Sequence, residues 1–403
     1  MQCDETRLWT KSFTLLVLGN MFVFMSFQML LPTLPPQAKE IGASPLEVGL
    51  VTSLFTFGAV LIRPLIGFLL GSSKRKWMVV VGATALLLLT FSYMYAAMIG
   101  LFLWLRLLHG FAWGWSTTAN GTAAVELVPS KRIGEGMGYF ALSMTVAMIA
   151  APSLGIILYQ NWGFETLICV ASVIGLVAVL ILTSVHYETP ESVLQNKLQW
   201  KKFSFFRVMI ERNGTYPAFI TFLAAFGYGT IVTFIVIFGN ERNIDQIFLF
   251  YLFNALTAIV VRPFTGKWFD RRGPWLLMMI CSMLTFTGLW TLSYTNSVEW
   301  LILSGVLFGL GYGSMMPALQ AWVISKTIPE RRGVANGMFY SAIDLGIGVS
   351  SLFFGFISSY INLMTIFQLS SICFIIVYIL TWNDWRKQKS KAPTSSSFQS
   401  YTL

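Results

Sequence analysis

The chain has 403 residues, of which 56% are hydrophobic and 11% charged, with a mean hydropathy of +0.69. A soluble globular domain is near a quarter charged, so this composition excludes one and makes the chain an integral membrane protein. The formal charge of +10 does not indicate a nucleic-acid partner, because the basic residues fall in short clusters between apolar runs, the pattern of a polytopic protein.

Apolar runs of about 20 residues, each enough to span 30 Å of hydrocarbon at 1.5 Å per residue, recur along the chain. They lie near 13–33, 47–70, 77–98, 101–125, 137–159 and 164–185, then 216–238, 246–268, 275–295, 299–323, 334–358 and 363–382. The expected fold is all-α, with twelve transmembrane helices in two pseudo-symmetric six-helix bundles, 1–185 and 216–385. A polar, basic loop at 186–215 joins them, and its run from Phe203 to Ile210 reads as a short amphipathic helix. The tail at 386–403 has too little apolar content to fold. The first run is too long for a cleavable signal peptide and is followed by Leu34-Pro35-Pro36 rather than a small-residue site.

Alternate loops divide the cations 22 to 2, with only Lys39 and Arg242 on the poorer side. Short cytoplasmic loops carry the positive charge, so both termini are expected in the cytoplasm of a multi-pass cell-membrane protein. Cys3, Cys169, Cys281 and Cys373 lack metal-like spacing, and neither disulfides nor a metal site is expected.

The halves repeat. Arg63-Pro64-x-x-Gly67 in the second span recurs as Arg262-Pro263-x-x-Gly266 in the eighth, and Gly110-x-x-x-Gly114 in the fourth as Gly309-x-x-x-Gly313 in the tenth, both at an offset of 199. Pro129-Ser-Lys131-Arg132 recurs as Pro329-Glu-Arg331-Arg332, at 200. A duplicated six-helix unit of like orientation is the plan of transporters that work by alternating access. The paired glycines are read as close helix contacts.

These motifs resemble the major facilitator superfamily, and within it the drug:proton antiporter type of exporter. The family's loop motif appears whole as Gly266-Lys-Trp-Phe-Asp270-Arg271-Arg272-Gly273, and degraded after the second span, where Arg75 and Lys76 remain but the acid is lost. The fourth-span signature is matched by Arg106-x-x-His109-Gly110, and the fifth-span antiporter signature in part by Ala151-Pro152-Ser-Leu-Gly155. The resemblance implies that Arg106 is the proton-relay or substrate-anion residue beside a central cavity. It also implies that the cavity draws on spans 1, 4, 7 and 10, making Phe24, Gln28, Trp113, Phe226, Tyr228, Tyr312 and Gln320 its candidate lining.

Membrane-buried ionisable groups are functional hypotheses by default, and Arg63, Arg106, His109, Arg262 and Asp344 lie well inside spans. In the superfamily's fold the second and eleventh spans face each other, so an Arg63–Asp344 ion pair is expected to hold the cytoplasmic gate, with Asp270, Arg271, Arg272, Arg75 and Lys76 as further gate candidates. The position 200 before Asp344 is Met144, so Arg262 is expected to lack an acidic partner. Proton coupling would fall to Asp344 or, second, Glu126, since the first span offers only Asn20 and Gln28.

The expected function is proton-driven export of a small organic compound by a monomer in the bilayer, with an uncoupled facilitator or importer of a sugar or similar nutrient as the alternative. No catalytic constellation, phosphate loop or cofactor motif is present, so an enzyme is not expected.

Overall fold

The computed structural model describes residues 7–129, 132–187, 189, 204–205, 209–327 and 332–391, and among these there is no strand. The helices are α1 (Lys11–Gln28), α2 (Leu34–Glu40), α3 (Pro45–Leu70), α4 (Arg75–Ser92), α5 (Ile99–Leu127) and α6 (Ile133–Thr183) in the first half. The second half holds α7 (Thr215–Glu241), α8 (Phe248–Arg272), α9 (Pro274–Ser293), α10 (Val298–Ser325), α11 (Arg332–Ile357) and α12 (Leu363–Lys391). By length and composition, eight of the described helices are long and apolar enough to cross a bilayer. α1 and α5 add length but also buried polar side chains, among them Asn20, Gln28, Arg106 and His109.

Local chemistry sets the boundaries. Thr10 caps α1 by accepting from the Phe13 amide at 3.2 Å. Ser44 and Glu47 form a reciprocal capping box at the start of α3, with Pro45 at the first helical position. α6 carries two crossings, because Gly163 (φ 82°, ψ 175°) breaks the helical backbone between the runs read at 137–159 and 164–185.

Two boundaries differ from the sequence reading. The first span stops at Gln28 instead of running to 33, and the chain turns into α2, with Pro35 and Pro36 in its first turn. Proline cannot continue a helix but suits its first turn, where no amide donor is needed. At the other terminus α12 continues past Trp385 to Lys391. Half of the 203–210 segment read as an amphipathic helix, residues 203 and 206–208, falls outside the described residues.

Each half has its own core. Phe24, Phe27, Phe55, Trp113 and Leu182 centre the first, and Phe238, Phe250, Phe308, Trp322 and Phe374 the second. The duplication extends to individual contacts. A Cβ on Gly110 would run into the Phe55 carbonyl of α3, and one on Gly309 into the Asn254 carbonyl of α8. Gly114 lies against Ala59 and Gly313 against Ala258 in the same way. Partners and glycines alike are related by 199 positions (254 − 55 and 258 − 59, as 309 − 110 and 313 − 114), so the helix crossing itself is repeated.

The halves meet along two seams, α3 with α11 and α6 with α8. Over them, at one end of the bundle, lies α2. Its Glu40 accepts from the Tyr159 hydroxyl of α6 at 2.7 Å, while Lys39 reaches Glu241 of α7 at 3.1 Å, both side chains being about half exposed (52% and 50%). An exposed pair of this kind contributes about 0 to 1 kcal/mol. Lys39→Ala is therefore expected to leave the thermal melting of the purified protein within about 2 °C of wild type; a larger drop would show that this contact carries more of the closure than exposed charges can.

Candidate functional site

The α3–α11 seam is built from small residues that let the backbones touch. A Cβ on Gly49 would strike the Ser351 carbonyl, and one on Gly355 would come within 2.7 Å of the Gly49 Cα. Ser53 Oγ donates to the Gly348 carbonyl at 2.7 Å. Thr233 Oγ1 of α7 donates to Thr52 Oγ1 at 3.2 Å and shares a 2.7 Å hydrogen bond with Ser351 Oγ. Without a hydrophobic driving force between helices in lipid, such close packing and hydrogen bonding is what joins them.

Further along the same seam Arg63 Nη1 donates to Asp344 Oδ2, so the two spans meet through the ion pair anticipated from the sequence. The side chains are only 12% and 14% exposed, where neither charge could stand alone at low cost. Asp344 belongs to a polar face of α11 with Asn336 and Tyr340, four residues apart and so on one side of the helix. Gln320 Nε2 of α10 donates to Asn336 Oδ1 at 2.8 Å and approaches the Tyr340 hydroxyl at 3.5 Å. Tyr340 is within electrostatic reach of both Arg63 and Asp344. Five polar side chains from α3, α10 and α11 thus converge where the halves meet. The sequence reading did not single out Asn336 or Tyr340, although their spacing from Asp344 carried the signal.

Arg106 and His109 share a face, as their spacing requires, but their neighbours are not carboxylates. Arg106 is 1% exposed, donates from Nε to the Val51 carbonyl at 2.6 Å, and lies over the Phe55 ring at 4.5 Å. His109 Nδ1 is 3.3 Å from the Tyr93 hydroxyl, and its ring meets those of Phe27 and Phe55 near perpendicular. Both residues therefore belong to the interior of the first half.

The remaining candidates separate. Arg75 forms a two-pronged pair with Glu126, both contacts at 2.7 Å, and also donates to the carbonyls of Leu70 and Ser73. This joins the α3–α4 turn to the end of α5, so Glu126 is committed to a cation inside its own half. Lys76 is exposed, and exposed Arg272 lies 5.7 Å from the Trp268 ring. The side chains of Arg262, Asp270 and Arg271 lie outside the described residues, as does the test of Arg262 for an acidic partner.

The seven lining candidates fall into several clusters. Phe24 and Trp113 join Phe27 in the first half. Tyr228 and Tyr312 stack at 4.6 Å with Phe308 beside them in the second. Phe226 meets Phe353 and Phe354 of α11, Gln320 belongs to the seam, and Gln28 is buried at the end of α1. On α6, Pro152 is buried, a Cβ on Gly155 would strike the Met29 carbonyl, and Ser153 Oγ donates to the Phe248 carbonyl of α8 at 3.2 Å across the second seam. Among the described residues no group of three or more His, Cys, Asp or Glu could hold a metal ion.

Comparison with known proteins agrees with this architecture. An uncharacterized MFS-type transporter of Methanocaldococcus jannaschii is 24% identical over 385 residues, covering 93% of this chain and 96% of the relative. A multi-drug resistance efflux pump PmrA homolog of Lactococcus lactis is 23% identical, covering 97% and 99%. Among solved structures, the nucleoside transporter NupG superposes with a TM-score of 0.72 at 15% identity, covering 94% of this chain and all of that one. A bacterial homolog of the human lysosomal transporter Spinster, inward-facing and unoccupied, gives 0.74 at 13%, covering 95% and 98%. At such identities the structures speak for the fold alone. The family description Major Facilitator Superfamily matches residues 16–351 and 276–400, and with two repeated six-crossing halves meeting at a polar seam, the chain belongs to the Major Facilitator Superfamily of membrane transporters.

Proposed function

We infer that this protein is a secondary active exporter that moves a small organic compound out of the cell by proton antiport, as a monomer in the cell membrane with both termini in the cytoplasm. The reading is carried by the Arg63–Asp344 pair: a carboxylate in low dielectric, neutralised by a cation from the opposite half. Protonating Asp344 would release Arg63 and loosen the seam, which couples a proton to the relative position of the halves. Gln320, Asn336 and Tyr340 supply hydrogen-bonding groups beside that pair, and a partly apolar surround suits an amphipathic molecule. The partial fifth-span signature and the efflux-pump homolog among the relatives support export as the direction.

The test uses ethidium, a lipophilic aromatic cation, added to inverted vesicles holding a proton gradient. Wild-type protein is expected to release protons as ethidium moves, and Asp344→Asn is expected to abolish the release. Ethidium movement without proton release would instead establish a facilitator.

A further inference from the structure

Buried polar atoms in proteins almost always have a partner. Among the described residues, four of those with none inside the protein fall on one helix: Arg106 Nη1, His109 Nε2, Ser116 Oγ and Asn120 Oδ1, all on α5. The four side chains are at most 1% exposed. At 3.6 residues per turn these positions fall within an arc of about 80°, so they form a single stripe roughly 21 Å long.

The stripe has polar ends. At one, Tyr93 bonds His109 Nδ1 and also lines an open cleft of about 1040 Å³ at the α2 end of the molecule. At the other, Asn120 Nδ2 donates to Asn20 Oδ1 of α1 at 3.1 Å, and Asn20 Nδ2 to Ser143 Oγ of α6 at 3.4 Å. Between them Trp113 packs on Phe27 of α1 at 4.1 Å. His109, Ser26 and Thr90 border a cavity of about 10 Å³, the space that one water molecule needs.

The duplicated half shows that packing does not demand this polarity. The positions 199 further on from Arg106, His109, Trp113, Ser116 and Asn120 are Gly305, Phe308, Tyr312, Met315 and Leu319. Over these the helix crossing is the same but the stripe carries no charge and no amide. One fold thus tolerates a stripe without charge or amide, and the unpartnered buried atoms that α10 does carry, Ser314 Oγ and Trp322 Nε1, lie outside these positions.

We propose that the α5 stripe binds a file of water molecules inside the first half, running from Tyr93 at the cleft to the Asn20–Asn120–Ser143 node. Water supplies both donors and acceptors, which this mixed set of unpartnered atoms requires, and no single organic ligand could follow a buried path between packed helices. The file is separate from the Arg63–Asp344 seam, and its presence does not depend on whether transport is proton-coupled.

Hydroxyl-radical footprinting of the full-length protein in nanodiscs tests it, because radicals formed from bound water mark the side chains beside it. Phe27, which touches both His109 and Trp113, is expected to be oxidised roughly tenfold faster than Phe308 and Phe374 of the second half, all three being at most 4% exposed. In the double variant His109→Phe, Asn120→Leu, which installs the residues that the second half already carries, Phe27 should fall to the rate of Phe308. Equal rates at Phe27 and Phe308 in the wild type would overturn the proposal, and so would fast oxidation of Phe27 that persists in a folded double variant. Should the double variant fail to fold, the wild-type comparison decides alone.

Discussion

Gly110→Val is expected to be among the most damaging single substitutions in the protein, lowering stability by about 3 kcal/mol or more. A Cβ at that position meets the Phe55 carbonyl oxygen, carbonyl carbon and Cα together. All three are backbone atoms of a neighbouring helix, so no side chain can swing aside, and α3 and α5 must separate along their length. Separation would also pull Arg106 from the Val51 carbonyl and open the core around Phe55 and Trp113. Because the crossing is duplicated, Gly309→Val should do the same by driving into the Asn254 carbonyl. Gly121→Ala on the same helix α5 is the control: a Cβ there meets nothing within 4 Å, and the gain in helix propensity should stabilise by roughly 0.5 to 1 kcal/mol. Thermal melting of the three variants in one detergent gives the comparison. A Gly110→Val protein that melts with the wild type would show that these helices do not cross as described.

The paired glycines show how far the sequence could be read. Their common offset revealed the duplication, and small residues spaced by four signalled a close contact, but the identity of the partner helix came only with three dimensions. The Arg63–Asp344 contact was legible because an ion in hydrocarbon must find its opposite, and few acids were available. Residues that carry no such compulsion were harder. Asn336 and Tyr340 are ordinary in a membrane helix until their shared face with Asp344 is known. The lining candidates were chosen by helix, whereas burial is decided by which side of a helix a residue occupies. Phe24 and Trp113 belong to the core of the first half, whereas Tyr228 and Tyr312 are half-buried beside Phe308. α2 escaped notice because seven residues beginning Leu-Pro-Pro look like a loop, and its burial of Leu34, Pro35, Pro36 and Ala38 is a tertiary effect. His109 and Arg106 were correctly placed on one face, but spacing alone could not tell that the face looks into the first half.

Asp344→Ala is expected to destabilise the protein by about 3 to 5 kcal/mol, since it strands the Arg63 guanidinium in a site where its side chain is only 12% exposed. Removing both charges should be milder than removing one. The double variant Arg63→Ala, Asp344→Ala loses the attraction but also the unmet desolvation of either ion, so it should recover at least about 1 kcal/mol relative to Asp344→Ala. The seam predicts where the loosening occurs. From Gly348 to Gly355, α11 is held to α3 by direct backbone contact and by the Ser53 hydroxyl, and to α7 by the Ser351 hydroxyl, none of which involves charge. Hydrogen exchange in Asp344→Ala should therefore quicken in peptides covering residues 336–344 and stay at the wild-type rate over 348–355. If both segments quicken together, the ion pair and the small-residue contact form one cooperative unit and the seam cannot open from one end. If the double variant is no more stable than the single, Arg63 has another partner in the folded protein and the pair is not what joins the halves at this point. A seam that yields at its charged end while its glycine-lined end stays shut is hinged at the small residues, so the two ends of the α3–α11 contact can be separated by mutation.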